Sequence, residues 1–274
     1  MGSIDNLLLR IANTTSERRK IRAGDYQKDG LWYCGICDTP KQAEVTIAGA
    51  TVKPMCLCKC QQAEDEQKEH EDRINANREM CFDDPSDSLS TFALDDGKNE
   101  ITKTCKAYAD NFAELLKQNK GLVLFGETGV GKTFAVNALA NELIDRGYKV
   151  RSTSLRSLGK ELQGYNVDRS RVIRSLNLFD LLILDDWGTE RDTEWMNEIV
   201  QEIIDSRYKA NKPLILTTNY GAQELKAPAD LKMKRIVSRL YDICVFIEVK
   251  GKDRRRATLI ADNEKIKNLL GVKE

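Results

Sequence analysis

The pattern of apolar and polar positions divides this chain in two. From about residue 90 onward, short apolar runs alternate with longer segments in which apolar residues recur every three or four positions. That alternation predicts parallel strands with connecting helices, an α/β sheet. The predicted strands are 121–125, 148–153, 180–185, 213–218 and 243–249. The third is apolar between its terminal acids, as a strand covered on both faces should be. Residues 132–146 and 193–210 read as helices, and Gly147 is placed to end the first in the left-handed conformation.

Before residue 90 the pattern is different. Ile4, Leu7, Leu8 and Ile11 recur at helical spacing, and the basic run Arg18-Arg19-Lys20-Ile21-Arg22 follows. Residues 44–48 alternate like a short strand. Residues 61–80 predict a highly charged helix, with Glu64–Lys68 and Glu69–Arg73 at i,i+4 spacing. It has few apolar residues, so it bridges solvent or meets a partner. Asp83-Asp84-Pro85-Ser86-Asp87-Ser88 is acidic and turn-rich. The expected organisation is therefore a first domain over 1–80, with a cysteine segment at 31–60. A linker over 81–90 and a second domain over 91–274 follow.

Composition narrows the class. With 274 residues, 41% hydrophobic and 31% charged, the chain is neither fibrous nor wholly disordered. No apolar run approaches the ~18–20 residues that a membrane span needs. No charged start followed by an apolar stretch and a small-residue cleavage site is visible, so a cytoplasmic protein is expected. The net charge is zero but unevenly spread: Cys60–Glu100 holds 13 acids and 4 bases, Lys226–Arg256 10 bases and 4 acids. A basic segment in a neutral chain still permits contact with a phosphate backbone.

The strongest chemical signal is Gly126-Glu127-Thr128-Gly129-Val130-Gly131-Lys132-Thr133, followed by Phe134. It fits G-x-x-x-x-G-K-[ST] and lies between a predicted strand and a predicted helix, as a phosphate-binding loop must. The glycines let backbone N–H groups turn inward around phosphates, and the helix start adds its positive dipole. Lys132, expected to be solvated when the site is empty, would reach the β- and γ-phosphates of ATP. The Thr133 hydroxyl would ligate Mg²⁺. The apolar strand ending in Asp185-Asp186, 53 residues after Lys132, completes a Walker pair. Asp185 would hold Mg²⁺ and Asp186 would orient or deprotonate the attacking water. Asn219, after Leu216-Thr217-Thr218, sits where a strand end can meet the γ-phosphate.

Five of the eight cysteines fall within a short span: Cys34, Cys37, Cys56, Cys58 and Cys60. Without a secretory signature such a cluster reads as a metal site before a disulfide framework. Cys34 and Cys37 form a C-x-x-C knuckle, and a tetrahedral Zn²⁺ needs two more thiolates, so one of the remaining three is spare. The zinc would be structural, since so short a segment cannot hold itself together by its core.

GETGVGKT, LLILDDWG, ILTTNY and Lys234-Arg235-Ile236-Val237-Ser238-Arg239-Leu240 together resemble the AAA+ ATPases, and within them bacterial and phage replicative helicase loaders of the DnaC/DnaI type. The resemblance implies a parallel-sheet P-loop core with little or no lid, preceded by a zinc-binding domain. It implies Cys58 and Cys60 as the second ligand pair, with Cys56 and Cys60 as the alternative. It also implies Arg239 as an arginine finger offered to a neighbouring subunit's ATP, with Arg235 one turn earlier as the alternate. Arg255 is implied as the sensor-2 arginine, beside Arg254 and Arg256. Most AAA+ proteins carry Asp-Glu where this chain has Asp185-Asp186, which points to slow or partner-dependent hydrolysis. The implied partners are a replicative helicase, single-stranded DNA and further copies of the chain, with no membrane. The rivals are a transposition helper ATPase of the IstB type, which usually lacks the cysteine segment, and an adaptor that binds ATP without turning it over. Trp187 and Tyr220 are secondary candidates for stacking on bases.

Overall fold

A computed structural model describes residues 20–47, 49–95, 97, 99–188, 194–228, 230–251, 253 and 254. It divides into two compact units, Met1–Arg73 and Ile74–Glu274. The expected stripe from Ile4 to Ile11, together with Arg255 and Arg256, lies outside the described residues.

The first unit is built from two small hairpins. Strands β1 (Tyr26–Lys28) and β2 (Leu31–Tyr33) pair antiparallel across Asp29-Gly30, both at positive φ (50° and 74°). Asp-Gly is the sequence that a two-residue hairpin turn of this hand demands. Strands β3 (Val45–Ile47) and β4 (Ala50–Val52) form the second hairpin. The centre of the unit is polar. Lys41 and Asp25 make an ion pair at 2.5 Å, with side chains only 0% and 3% exposed. Lys41 Nζ also donates to the Lys20 carbonyl at 2.9 Å, and Asp25 accepts from the Gly35 N–H at 3.2 Å. A buried ion pair satisfied on both sides is costly to break by removing one partner, and this one pins the loop between Cys34 and Cys37.

Helix α1 (Lys59–Cys81) starts within the cysteine segment and runs across the boundary between the units. Most of it is exposed, as its charge pattern requires, and His70 lies on that face beside Arg73.

The second unit is a five-stranded sheet in the order β6-β7-β8-β5-β9, with every pairing parallel. The strands are β5 (Gly121–Phe125), β6 (Val150–Ser154), β7 (Leu181–Trp187), β8 (Leu214–Thr218) and β9 (Cys244–Glu248). Helices α2 (Glu100–Asp110), α3 (Phe112–Lys117) and α4 (Lys132–Asp145) come before β6 in the chain. Helices α5 (Leu155–Leu162), α6 (Arg169–Ser175), α7 (Glu194–Lys209), α8 (Ala222–Lys226) and α9 (Leu231–Ile243) follow. Two apolar clusters pack the sheet, one around Leu139, Leu143 and Ile183, the other around Leu184, Ile203 and Leu240. The central strands β7 and β8 are buried apart from Asp186, which explains the apolar runs Leu181–Leu184 and Leu214–Leu216. Gly147 has φ 87°, ending α4 as the sequence predicts.

Residues 81–90 differ from the expected linker. Cys81 and Phe82 are buried in the second unit's core, and Phe82 bridges Ser152 in parallel at the free edge of β6. Asp83 pairs with Arg151 and accepts from Thr153, while Asn137 donates to Asp87 and Asn141 to the Ser90 carbonyl. The acidic turn signals were real, since Asp84 caps a 3-10 turn over Pro85–Leu89. They belong to a turn bonded to the sheet, because the apolar pair ahead of them finds a place in the core.

Candidate functional site

The phosphate-loop motif occupies the turn between β5 and α4. Gly126, Gly129 and Gly131 all lie at positive φ, at 143°, 80° and 96°. At Gly126 a side chain is impossible for a second reason: a Cβ there would sit 2.4 Å from the Val249 carbonyl oxygen. Lys132 is buried, contrary to the expected solvated lysine. Its ammonium donates to the carbonyls of Gly126 and Glu127 and to Asn219 Oδ1, each at 2.8 Å. A strongly hydrated cation enters such a place only when its donors are satisfied, and two loop carbonyls and Asn219 supply three acceptors.

The acids of β7 diverge at a kink. The β7–β8 register shifts between Leu184 and Trp187, and Asp186 sits at φ 60°. An extra residue in one strand re-aims the side chains around it. Asp185 therefore stays buried, accepting from Thr133 Oγ1 at 2.9 Å and Thr217 Oγ1 at 2.5 Å. Asp186 instead lines the cavity, its backbone N–H held by Thr217 Oγ1 at 2.9 Å. Burial pushes the Asp185 carboxyl above the usual carboxylate range, and a cation beside it would offset that penalty. The Thr133 hydroxyl and the Asp185 carboxylate thus suit Mg²⁺, with hard oxygen donors from one loop and one strand end.

Lys132, Thr133 and Asp186 line a cavity of about 610 Å³ together with Thr128, Gly129, Gly131, Phe134 and Asn219, and Asp185 is buried behind Thr133. A volume of this size holds a drug-sized or nucleotide-sized ligand. The sequence gives no sign of Leu94 and Asp95 on the far wall, where Leu94 ends a 3-10 turn, Asp95 caps it and Arg254 reaches across. Arg254 Nη1 lies 3.5 Å from Asp95 Oδ1, and its backbone N–H donates to the Gly129 carbonyl at 2.9 Å. Arg254 is one of the sensor-2 alternatives that the resemblance implies. Leu94 and Asp95 carry no motif, and only the fold brings them to the site.

Two predicted groups stand away from the cavity. Trp187 is only 1% exposed and packs edge-on against Tyr220 at 5.2 Å, so its ring belongs to the core and is not offered to bases. Arg239 lies on α9, whose Met233, Ile236, Val237 and Leu240 face inward. It is half-exposed in a separate groove and pairs with Asp205 at 3.3 Å and Asp242 at 3.7 Å.

The cysteines separate cleanly. The Sγ atoms of Cys34, Cys37, Cys58 and Cys60 all lie within 4.8 Å of one another, whereas Cys56 Sγ faces the Pro40 carbonyl at 3.6 Å. A tetrahedral zinc thiolate site holds its sulfurs about 3.8 Å apart, given Zn–S of about 2.3 Å. The Cys34–Cys60 separation of 3.6 Å and the Cys58–Cys60 separation of 3.2 Å suit it. Neighbouring Cys58 pushes the Cys60 thiol up to about 12, while the Thr39 hydroxyl draws Cys37 down to about 6. Four thiols this close ionise together only around a cation. About one zinc per chain is the expected elemental analysis. Cys60→Ser should release it readily to a chelator and Cys56→Ser should not; the reverse order would exchange the two ligand assignments.

A family model described as IstB-like ATP binding protein matches residues 104–260. The chain belongs to this family. Its relatives include the replicative helicase loader DnaI of Bacillus subtilis, 28% identical over 150 residues that cover 50% of this chain and 48% of that protein. They also include a putative ATP-binding protein in an insertion sequence of Mycobacterium tuberculosis, 31% identical over 136 residues, or 47% of this chain and 54% of that one. The chain thus matches only about half the length of these curated relatives. A crystal structure of DnaI superposes with a TM-score of 0.53 at 23% identity, covering 65% of this chain and 98% of that one. That likeness is one of fold, and it bears out the expected parallel-sheet AAA+ P-loop core. Members of both kinds share the ATP-binding domain, so that domain alone does not distinguish loaders from insertion-sequence proteins. Among the described residues, no helix is long and apolar enough to cross a membrane.

Proposed function

We propose that this protein is an ATPase that loads a replicative DNA helicase, with ATP·Mg²⁺ bound in the β5–α4 cavity and zinc held by the cysteine cluster. The observation that carries the reading is the presence, on one chain, of a complete P-loop site and a four-thiol centre. The zinc module is assigned the helicase-docking part, and the likeness to the helicase loader DnaI supports the loader reading as a whole. In the ATPase unit Lys132 neutralises phosphate charge, Thr133 and Asp185 hold the metal, and Asp186 and Asn219 orient the attacking water. Copies of the chain assemble so that Arg239 of one meets the ATP of the next.

A surface for single-stranded DNA is available on α5 and α6. Tyr165, in the loop between them, is 96% exposed, and Arg156 and Lys160 on α5 and Arg171 and Arg174 on α6 are exposed as well. An aromatic face among cations suits a strand whose bases stack and whose phosphates release counterions. Binding of single-stranded DNA by the ATP-loaded full chain should weaken steeply with salt. Tyr165→Ala should lower affinity by roughly 1–3 kcal/mol, the range for a base stacked on an aromatic ring. In parallel, the full chain with ATP should capture a bacterial replicative helicase.

The family model and the 31% identity to an insertion-sequence protein favour a second reading, a helper of transposition. That protein would prefer duplex over single-stranded DNA and would leave the helicase unbound. Either result would replace the loader assignment.

A further inference from the structure

We infer that Asp205 and Tyr208 are positioning residues that hold the Arg239 guanidinium ready for the phosphate of a neighbouring copy's nucleotide. The inference rests on the proposed role of Arg239 as a finger. Helices α7 and α9 pack side by side, with Ile199, Ile203 and Ile204 of one and Ile236, Val237 and Leu240 of the other buried in one apolar cluster. Their outer edges bound a groove of about 450 Å³ that contains Lys234, Arg235 and Arg239, with Asp205 as its one carboxylate. Three cations and one acid in a groove make a seat for an anion richer in charge than a single carboxylate, which a triphosphate is.

The way Arg239 is held decides what it can do. The Asp205 carboxylate on α7 lies 3.3 Å from Nε, and Tyr208, one turn later, lies under the guanidinium carbon at 5.0 Å. Asp242 touches only Nη1, at 3.7 Å. A carboxylate on the Nε side and a ring beneath one face restrict where the guanidinium can lie. An arginine loses much rotamer freedom when it docks, and a planar fork already oriented loses less. Arg239 and Asp205 are 48% and 35% exposed, so their pair adds little to folding stability. Its effect belongs to the placement of a catalytic charge, where small misplacements are costly in rate.

The test compares ATP turnover against protein concentration for the wild-type chain and for Asp205→Ala, Asp205→Asn, Tyr208→Ala, Tyr208→Phe and Arg239→Ala. Asp205→Ala and Tyr208→Ala should each lower the concentration-dependent turnover ~3–10-fold, the order expected for a loosely placed charge. Thermal midpoint and nucleotide affinity should stay at wild-type values. Asn keeps an acceptor for Nε and Phe keeps the ring face, so both should restore most of the rate. The proposal is overturned if the alanine variants keep wild-type stimulation, or exceed it because the pair restrains the arginine, or if Asn and Phe fall as far as Ala. If Arg239→Ala itself keeps the stimulated rate, the finger reading fails and this inference fails with it. If Arg239→Ala loses the rate while Asp205→Ala and Tyr208→Ala keep it, only the positioning inference fails.

Discussion

Lys132→Ala is expected to abolish measurable ATP binding. In the folded loop the ammonium is already collected by the carbonyls of Gly126 and Glu127 and by Asn219 Oδ1, all at 2.8 Å. Those contacts hold the charge at the point where the β- and γ-phosphates would sit, so binding exchanges carbonyl partners for phosphate oxygens. Hydrogen bonds to charged groups are worth about 1.5–3 kcal/mol each, so loss of two should weaken binding at least ~100-fold. The same geometry predicts a side effect that a solvated lysine would not have. Alanine leaves two buried carbonyls and an amide oxygen without their donor, costing roughly 1–3 kcal/mol for the group left unsatisfied. A lowered thermal midpoint with an intact circular dichroism spectrum, together with no response to a fluorescent ATP analogue, is the expected pair of results. Wild-type binding of the analogue would remove Lys132 from the site.

What could be read from sequence divides along a physical line. The P-loop, Asp185 and Asn219 were legible because their chemistry needs fixed residue types at strand ends, and strands buried on both faces announce themselves as apolar runs. The four-thiol set was legible because ligand spacing is local, although the choice between Cys56 and Cys58 needed the third dimension. Cys56 lies one residue from the strand-like pairing of Met55 with Gln42 and turns toward Pro40 instead of the cluster. The wall formed by Leu94 and Asp95 was not legible, because nothing local marks residues that meet a loop only through long-range packing, whereas Arg254 beside them stands among the sensor-2 alternatives. The Lys41–Asp25 pair was hidden for the same reason: two charged residues in a polar segment read as surface until the chain closes around them. Residues 81–90 misled because turn chemistry is identical in a free linker and in a turn tied to a sheet edge. Their register is set by Phe82, one apolar residue that a pattern of acids obscures.

Arg239→Ala should leave ATP binding intact and remove the turnover that rises with protein concentration or with single-stranded DNA. Arg239 is absent from the lining of its own subunit's cavity and stands in a separate groove on the exposed edge of α9. A charge placed there has no phosphate to stabilise until a second copy presents one. An arginine supplied in trans to a transferring phosphoryl group is worth ~10³–10⁵ in rate where measured, so the loss should be visible even against slow basal hydrolysis. Nor should it be confused with unfolding, because the ion pairs that Arg239 makes with Asp205 and Asp242 are solvent-exposed and contribute little to stability. Mixing separates a trans site from a cis one. Lys132→Ala retains the finger and lacks the phosphate-binding lysine; Arg239→Ala retains the lysine and lacks the finger. In an assembly of both, an Arg239→Ala copy that binds ATP can meet a Lys132→Ala neighbour that offers an intact Arg239, and that interface contains every group the reaction uses. Partial recovery on mixing two inactive variants is therefore the expected result. Full DNA-stimulated turnover by Arg239→Ala alone would move the assignment to Arg235, which lines the same groove one turn earlier on α9.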